Sequence, residues 1–351
     1  MSSHVVRLLL SLLALVSLGL TACGGDSTPA PGSNENGTAR PGETSAGWSD
    51  EFSDNGKLNV ATTVAPISSI VRNIGGTRIN LRGIVPDGAD SHTFEPAPSD
   101  AAILARADMF IMNGLHLEQP TKDLAEANLP DGAPIVELGT QAITPEQYVY
   151  DFSFPRDGGN PNPHLWTDVT KAQRYAEIVL AALKDKDPAN AEYYQKNFDL
   201  YNVKLQALHE AMKAATATIP EQNRKLLTYH DSFPFFGATY GFKIIGAIQP
   251  SDFSEPSAKE VADLIEQIKA EKVPAIFGSE VFPSPVLEQI ASETGAKYID
   301  KIRDDEPPGE PGSVEHTYVG MMLSNMRLIA EGLGGNADAL SAVTPDDTYL
   351  P

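Results

Sequence analysis

One cysteine, Cys23, stands in 351 residues. No disulfide can close within the chain, and no thiolate cluster can hold a metal. Basic residues are scarce: 26 Lys and Arg face 47 Asp and Glu, for a formal charge of −21. A nucleic-acid partner needs a basic face to meet phosphate, so none is expected. Long apolar runs are missing as well. After the first twenty or so residues, no stretch approaches the ~20 apolar positions of a membrane-spanning helix. Each absence narrows the field to a soluble, acidic fold that can attract cations and has no thiol chemistry of its own.

What apolar run there is lies at the start. His4 and Arg7 form a short polar head, and Leu8 to Leu20 an apolar core too short to span. It closes on Leu20-Thr21-Ala22-Cys23, which resembles a bacterial lipobox. That resemblance implies removal of residues 1–22, acylation of Cys23, and attachment to the outer face of the cytoplasmic membrane. From Gly24 to about Asn55 the chain is rich in Gly, Ser, Thr, Pro and Asn, with almost no large apolar side chain before Trp48. Such a composition cannot bury a core. Residues 23–56 therefore read as a lipidated cysteine and a disordered tether, with an end-to-end distance of roughly 30 Å.

A single long helix organises the rest. Tyr194, Phe198, Tyr201, Leu205, Leu208 and Met212 recur at steps of three and four, with no Gly or Pro among them. Pro188 suits the first turn, and Pro220 lies past the end. A helix that long in mid-chain bridges two lobes. The division expected is a lobe over 57–187, a linking helix over 188–218, a second lobe over 219–335 and a tail over 336–351. Such a helix resists wide hinge bending, so small loop and lobe shifts are the motion expected.

On both sides of that helix short apolar strands alternate with helical stretches. Strands are expected at Leu58–Val64, Ile79–Val85, Asp108–Met112 and Pro134–Leu138, then at Leu226–Tyr229, Phe242–Ile248, Pro274–Phe277 and Lys297–Ile299. This rhythm specifies βαβ units with parallel strands, an α/β fold. Ser257-Ala258-Lys259-Glu260 is a capping box opening a helix. Ligands of open α/β sheets bind beyond the carboxyl ends of the strands. His92, His230 and Asp300 each follow an expected strand. His164 follows the irregular loop from Thr140 to Pro161.

Seven histidines are present: His4, His92, His116, His164, His209, His230 and His316. His4 leaves with the signal segment. His209 lies mid-helix, and His316 precedes the last helix, where a capping or exposed role is expected. The remaining four stand in loops or at strand ends. Spacings near 70 residues exclude a zinc finger, so any metal site must form by tertiary convergence. Pattern alone leaves a metal site and ordinary packing equally open.

The chain resembles the solute-binding lipoproteins of zinc and manganese ATP-binding-cassette importers, over nearly all of Leu58 to Leu333. The matching motifs are Asp90-Ser91-His92-Thr93-Phe94-Glu95-Pro96, Asn113-Gly114-Leu115-His116-Leu117-Glu118 and Asn162-Pro163-His164-Leu165-Trp166. Tyr229-His230-Asp231-Ser232-Phe233, Glu255-Pro256-Ser257 and Glu293-Thr294-Gly295-Ala296 follow, then Thr317-Tyr318 with Met321, Met322 and Asn325. The resemblance implies two parallel-sheet lobes bridged by one rigid helix, with one metal held in the cleft between them. Carried over position by position, its ligands are His92, His164, His230 and Asp300. Asp304, Asp305 and Glu306 lie close behind Asp300. His116 matches a position near the site that is not usually a ligand. The implied partners are a membrane permease and its cytoplasmic ATPase, and the expected state is a monomer.

Three imidazoles and one carboxylate suit Zn²⁺ in a tetrahedral site. Manganese prefers more oxygen, and manganese members of the family usually carry a carboxylate where this chain has His230. Zinc is thus the expected cargo, with manganese or iron the alternative. A zinc hydrolase would need an open metal position and a general base; four filled positions and the lack of a His-Glu-x-x-His helix argue against an enzyme. The loop 140–161 holds no histidine, so no second, loop-borne metal site is expected. Glu95, Asp231 and Asn162 are the groups available to orient the imidazoles. Trp166, Phe94 and Phe233 serve either to exclude water from the site or to pack the core. Metal capture needs neutral imidazoles, so affinity is expected to fall as pH approaches about 6.5.

Overall fold

A computed structural model describes residues 48–281 and 285–351. The signal segment, Cys23 and the tether up to residue 47 lie outside the described residues. Two βα halves follow one another in the chain. The first runs β1 (Leu58–Thr62), α1 (Ala65–Gly75), β2 (Ile79–Gly83), α2 (Pro98–Leu104), β3 (Met109–Met112), α3 (Gln119–Asn128), β4 (Ile135–Glu137), α4 (Leu138–Ala142) and α5 (Val169–Lys186). The long helix α6 (Ala191–Thr218) comes next. The second half runs β5 (Lys225–Thr228), α7 (Pro234–Tyr240), β6 (Lys243–Ala247), α8 (Ala258–Glu271), β7 (Ala275–Ser279), α9 (Pro285–Thr294), β8 (Lys297–Ile302) and α10 (Tyr318–Gly332).

Each half builds a four-stranded sheet of one design. The orders are β2-β1-β3-β4 and β6-β5-β7-β8, and the paired strands are parallel throughout. The strands read as apolar runs because helices cover both faces of a parallel sheet. In β3 all four residues are buried, and in β7 all five. Both sheets reverse strand order between their second and third strands, and both open their carboxyl ends to loops that carry polar residues.

The apolar stripe of α6 does what its spacing predicts. Tyr194, Tyr201, Leu205, Leu208 and Met212 are fully buried, and the 28-residue helix spans about 42 Å at 1.5 Å per residue. It packs on α1 and α5 of the first half and on α7 and α10 of the second. One continuous apolar core runs from Val60 and Met109 through Leu205 and Met212 to Phe277 and Met326. The halves are joined by shared packing as well as by a covalent strut. Among the described residues no helix is long and apolar enough to cross a membrane.

Three stretches carry more order than the sequence showed. Ordered chain begins before residue 57: Trp48 and Phe52 are buried, and the Asp50 carboxylate accepts from Leu81 N at 3.0 Å and pairs with Arg72 at 2.7 Å. Two aromatic side chains give this end of the tether something to bury. Residues 336–351 are likewise docked. Leu340 and Val343 are buried, Asn73 donates to Asp347 at 2.8 Å, and Tyr193 donates to the Leu350 carbonyl at 2.5 Å. Finally, β8 runs on past Ile299 to Ile302. Its pairing with β7 slips between Phe277 and Ser279, and Lys301 takes a positive φ of 65°. This irregularity moves the end of the strand beyond Asp300.

Candidate metal centre

Three histidines, brought from loops 72 and 66 residues apart, meet at one point. The Nε2 atoms of His92 and His164 lie 3.2 Å apart, those of His92 and His230 3.2 Å, and those of His164 and His230 3.1 Å. Three neutral imidazoles gain little by crowding their ring nitrogens this way. The triangle has the size a metal ion requires: with Zn–N bonds of 2.0–2.1 Å, the edge of a tetrahedron is about 3.3 Å.

Each imidazole is aimed by its loop. His92 sits in a turn in which Asp90 accepts from His92 N at 2.9 Å and from the Thr93 hydroxyl at 2.7 Å. Its ring stacks on Phe253 with centroids 4.5 Å apart and has Phe154 on another side at 5.5 Å. His164 is fully buried. Asn162 holds it twice, its Oδ1 lying 3.1 Å from His164 N and 2.9 Å from Nδ1. His230 follows β5, and its Nδ1 lies 2.6 Å from Gln249 Oε1. An amide oxygen can only accept, so in both pairs Nδ1 carries the proton and Nε2 presents its lone pair to the centre.

The fourth expected group is misplaced. Asp300 is exposed on β8, with its carboxylate 3.3 Å from the Tyr298 hydroxyl, and it is not among the groups that converge. The carboxylate at the cluster belongs to Asp304, whose Oδ2 lies 3.8 Å from His164 Nε2 and 3.7 Å from His230 Nε2. The extra strand length and the irregularity at Lys301 account for the four-residue displacement. Asp304 is buried, and Trp166 Nε1 donates to its carbonyl at 2.7 Å.

The other sequence candidates sort themselves by contact. His116 is exposed in a left-handed conformation, φ 67°, on the rim of a 320 Å³ cavity that also reaches His92, Phe154 and Phe253. It is not one of the converging histidines. His209 pairs with the Tyr240 hydroxyl at 3.1 Å. His316 is buried rather than exposed, 3.4 Å from Asp87 and stacked on Trp48. Glu95 is exposed and is not among the groups that converge. Asn162 fills the role expected of it, and Asp231 supports it through its carbonyl, which accepts from Asn162 Nδ2 at 2.6 Å. Of the aromatic residues, Trp166 touches His164 at 5.1 Å, whereas Phe94 and Phe233 belong to the apolar core. Gln249, Phe154 and Phe253 went unnoticed in the sequence; only their positions after β6 and in the irregular loop mark them.

Burial sets the protonation of the site. Desolvation pushes His92 and His164 well below the usual imidazole value, and a charge on His230 would push them further. These two rings stay neutral as pH falls through 6.5, so proton competition for them begins at lower pH than the sequence suggested. Buried carboxyls move the other way. Desolvation raises Glu118 and Asp305 to about 7, and Glu280 and Asp151 to about 8, the last also by the neighbouring Asp231. Unfolded carboxyls ionise near 4. The fold therefore binds more protons than the unfolded chain, and its stability falls as pH rises through 7 to 8. The two depressed imidazoles oppose this only below about 6.5. Chelator-treated protein is expected to melt at a higher temperature at pH 6.5 than at pH 8, with the gap reduced in Asp151→Asn. A higher melting temperature at pH 8 would contradict the burial argument.

The fold and the site define a class: paired parallel-sheet lobes on a long helix, with a ring of imidazoles where the lobes meet. The family model for the zinc-uptake complex component A, periplasmic, matches residues 60–332, and the chain belongs to that family. The metal ABC transporter substrate-binding lipoprotein FimA of Streptococcus parasanguinis is 30% identical over 278 residues, 79% of this chain and 90% of that protein. The manganese-binding lipoprotein MntA of Halalkalibacterium halodurans is 28% identical over 276 residues, 79% of this chain and 88% of its own. Among solved structures, the periplasmic zinc binding protein TroA from Treponema pallidum superposes with a TM-score of 0.72 at 28% identity, covering 79% of this chain and 99% of that one. The chain is a metal substrate-binding component of this family and not an enzyme.

Proposed function

We propose that this protein captures Zn²⁺ outside the cell and delivers it to the permease of an ATP-driven importer, held at the membrane as a monomer through a lipid on Cys23. One observation carries the reading: the three Nε2 atoms of His92, His164 and His230 lie within 3.2 Å of one another. With Asp304 they form a set of three nitrogens and one carboxylate. That set is rich in nitrogen and low in coordination number, which suits zinc over the harder manganese ion. The two imidazole tautomers fixed by Asn162 and Gln249 present lone pairs without prior proton loss.

Manganese is the competing cargo, because a relative as similar as MntA is named for it. Metal analysis of the purified protein, followed by competition between zinc and manganese, separates the two. His230→Glu adds a hard oxygen donor and is expected to move the zinc-to-manganese affinity ratio toward manganese by at least tenfold, about 1.4 kcal/mol. An unchanged ratio would remove His230 from the ligand set.

A further inference from the structure

The carboxylate at the cluster stands on a turn that another carboxylate holds. Glu280, the residue after β7, points Oε1 at three consecutive backbone N–H groups. Asp304 N donates at 3.0 Å, Asp305 N at 3.1 Å and Glu306 N at 3.1 Å. Successive N–H groups converging in this way form an anion-binding nest. Here the nest is filled from within the chain. Oε2 stays on the strand side, near the Ser279 hydroxyl at 3.4 Å.

Other contacts fix the flanks of the same turn. Arg303 N donates to Asn325 Oδ1 at 2.8 Å, and Asn325 Nδ2 donates back to the Arg303 carbonyl at 2.5 Å. Asp305 reaches across to the first lobe, its Oδ2 accepting from Ser91 N at 3.2 Å, one residue before His92. The nest gives the Glu280 carboxylate three donors in place of water, and it gives the turn one conformation.

We infer that Glu280 is a positioning residue for the metal site: by closing the 304–306 nest it holds the Asp304 carboxylate within reach of the imidazoles, and so sets how tightly the site binds a divalent ion. The inference rests on Asp304 being a ligand, as proposed above. What matters about Glu280 is its reach. Glutamine keeps an oxygen at the same distance, whereas aspartate holds its carboxyl group one methylene short.

Zinc titration of the purified protein in a double-mutant cycle tests this. Glu280→Ala is expected to weaken zinc binding by about tenfold to a hundredfold, the usual cost of losing a group that orients a ligand. In an Asp304→Ala background the same change should cost nothing further, because the ligand it positions is gone. Glu280→Gln should retain most of the affinity, and Glu280→Asp should lose it. If Glu280→Ala does not fold when freed of metal, Glu280→Asp carries the cycle. Equal losses from the Glu280 change in both backgrounds, or no loss in either while Asp304→Ala weakens binding, overturn the inference and leave the metal site standing. If Asp304→Ala leaves zinc affinity intact, the assignment of the fourth ligand fails, and the inference fails with it.

Discussion

Asp304→Ala is expected to lower zinc affinity by more than about a hundredfold, and Asp300→Ala to leave it unchanged. The lower bound follows from the cost of disturbing a group that merely orients a ligand, about tenfold to a hundredfold; losing a ligand costs more. The Asp304 Oδ2 lies within 4 Å of both His164 Nε2 and His230 Nε2. Asp300 faces solvent beside Tyr298, where it can bind nothing that the histidines bind. Titration calorimetry with a competing chelator reads both variants on one scale. A large loss in Asp300→Ala with none in Asp304→Ala would reverse the assignment and require the turn after β8 to rearrange on binding metal.

The step from Asp300 to Asp304 shows where sequence stops specifying this site. Strands, helices and the apolar stripe of α6 were legible because periodicity is a property of neighbours in the chain. His92, His164 and His230 were legible because their motifs resemble those of a known family. Asp304 was not, since four acidic residues follow one another within a few positions and only the register of β8 selects among them. That register depends on the irregular pairing between Phe277 and Ser279, which no local pattern announces. Gln249 and Glu280 carried no motif either. Yet the second sheet places a polar residue just beyond each of its strands: His230 after β5, Gln249 after β6, Glu280 after β7 and Asp304 after β8. Asp304 lies 3.7 Å from His230, Gln249 lies 2.6 Å from the other nitrogen of that ring, and Glu280 accepts from the backbone of the Asp304 turn. Read as a set of strand ends, the second lobe already contains the site and its supports. Read as single motifs, it gave up only His230.

Leu205→Ala is expected to destabilise the whole fold by about 2–5 kcal/mol while leaving it a single unfolding transition. Leu205 is fully buried in α6, within the apolar core that reaches both sheets. Removing its isobutyl group opens a cavity in packing that the two lobes share, so neither can lose it alone. Each kcal/mol should lower the melting temperature by about 1.5 °C for roughly 300 folded residues. Val203, on the same helix and 71% exposed, provides the control: Val203→Ala should stay within about 0.5 kcal/mol. Calorimetry of the metal-free protein distinguishes the outcomes. Two resolved transitions, with only one displaced by Leu205→Ala, would mean that the lobes fold separately and that α6 is a tie between them rather than part of both. One displaced transition would mean that wide opening of the cleft must break apolar packing, which limits release of the ion to movement of the loops that carry His92 and Asp304.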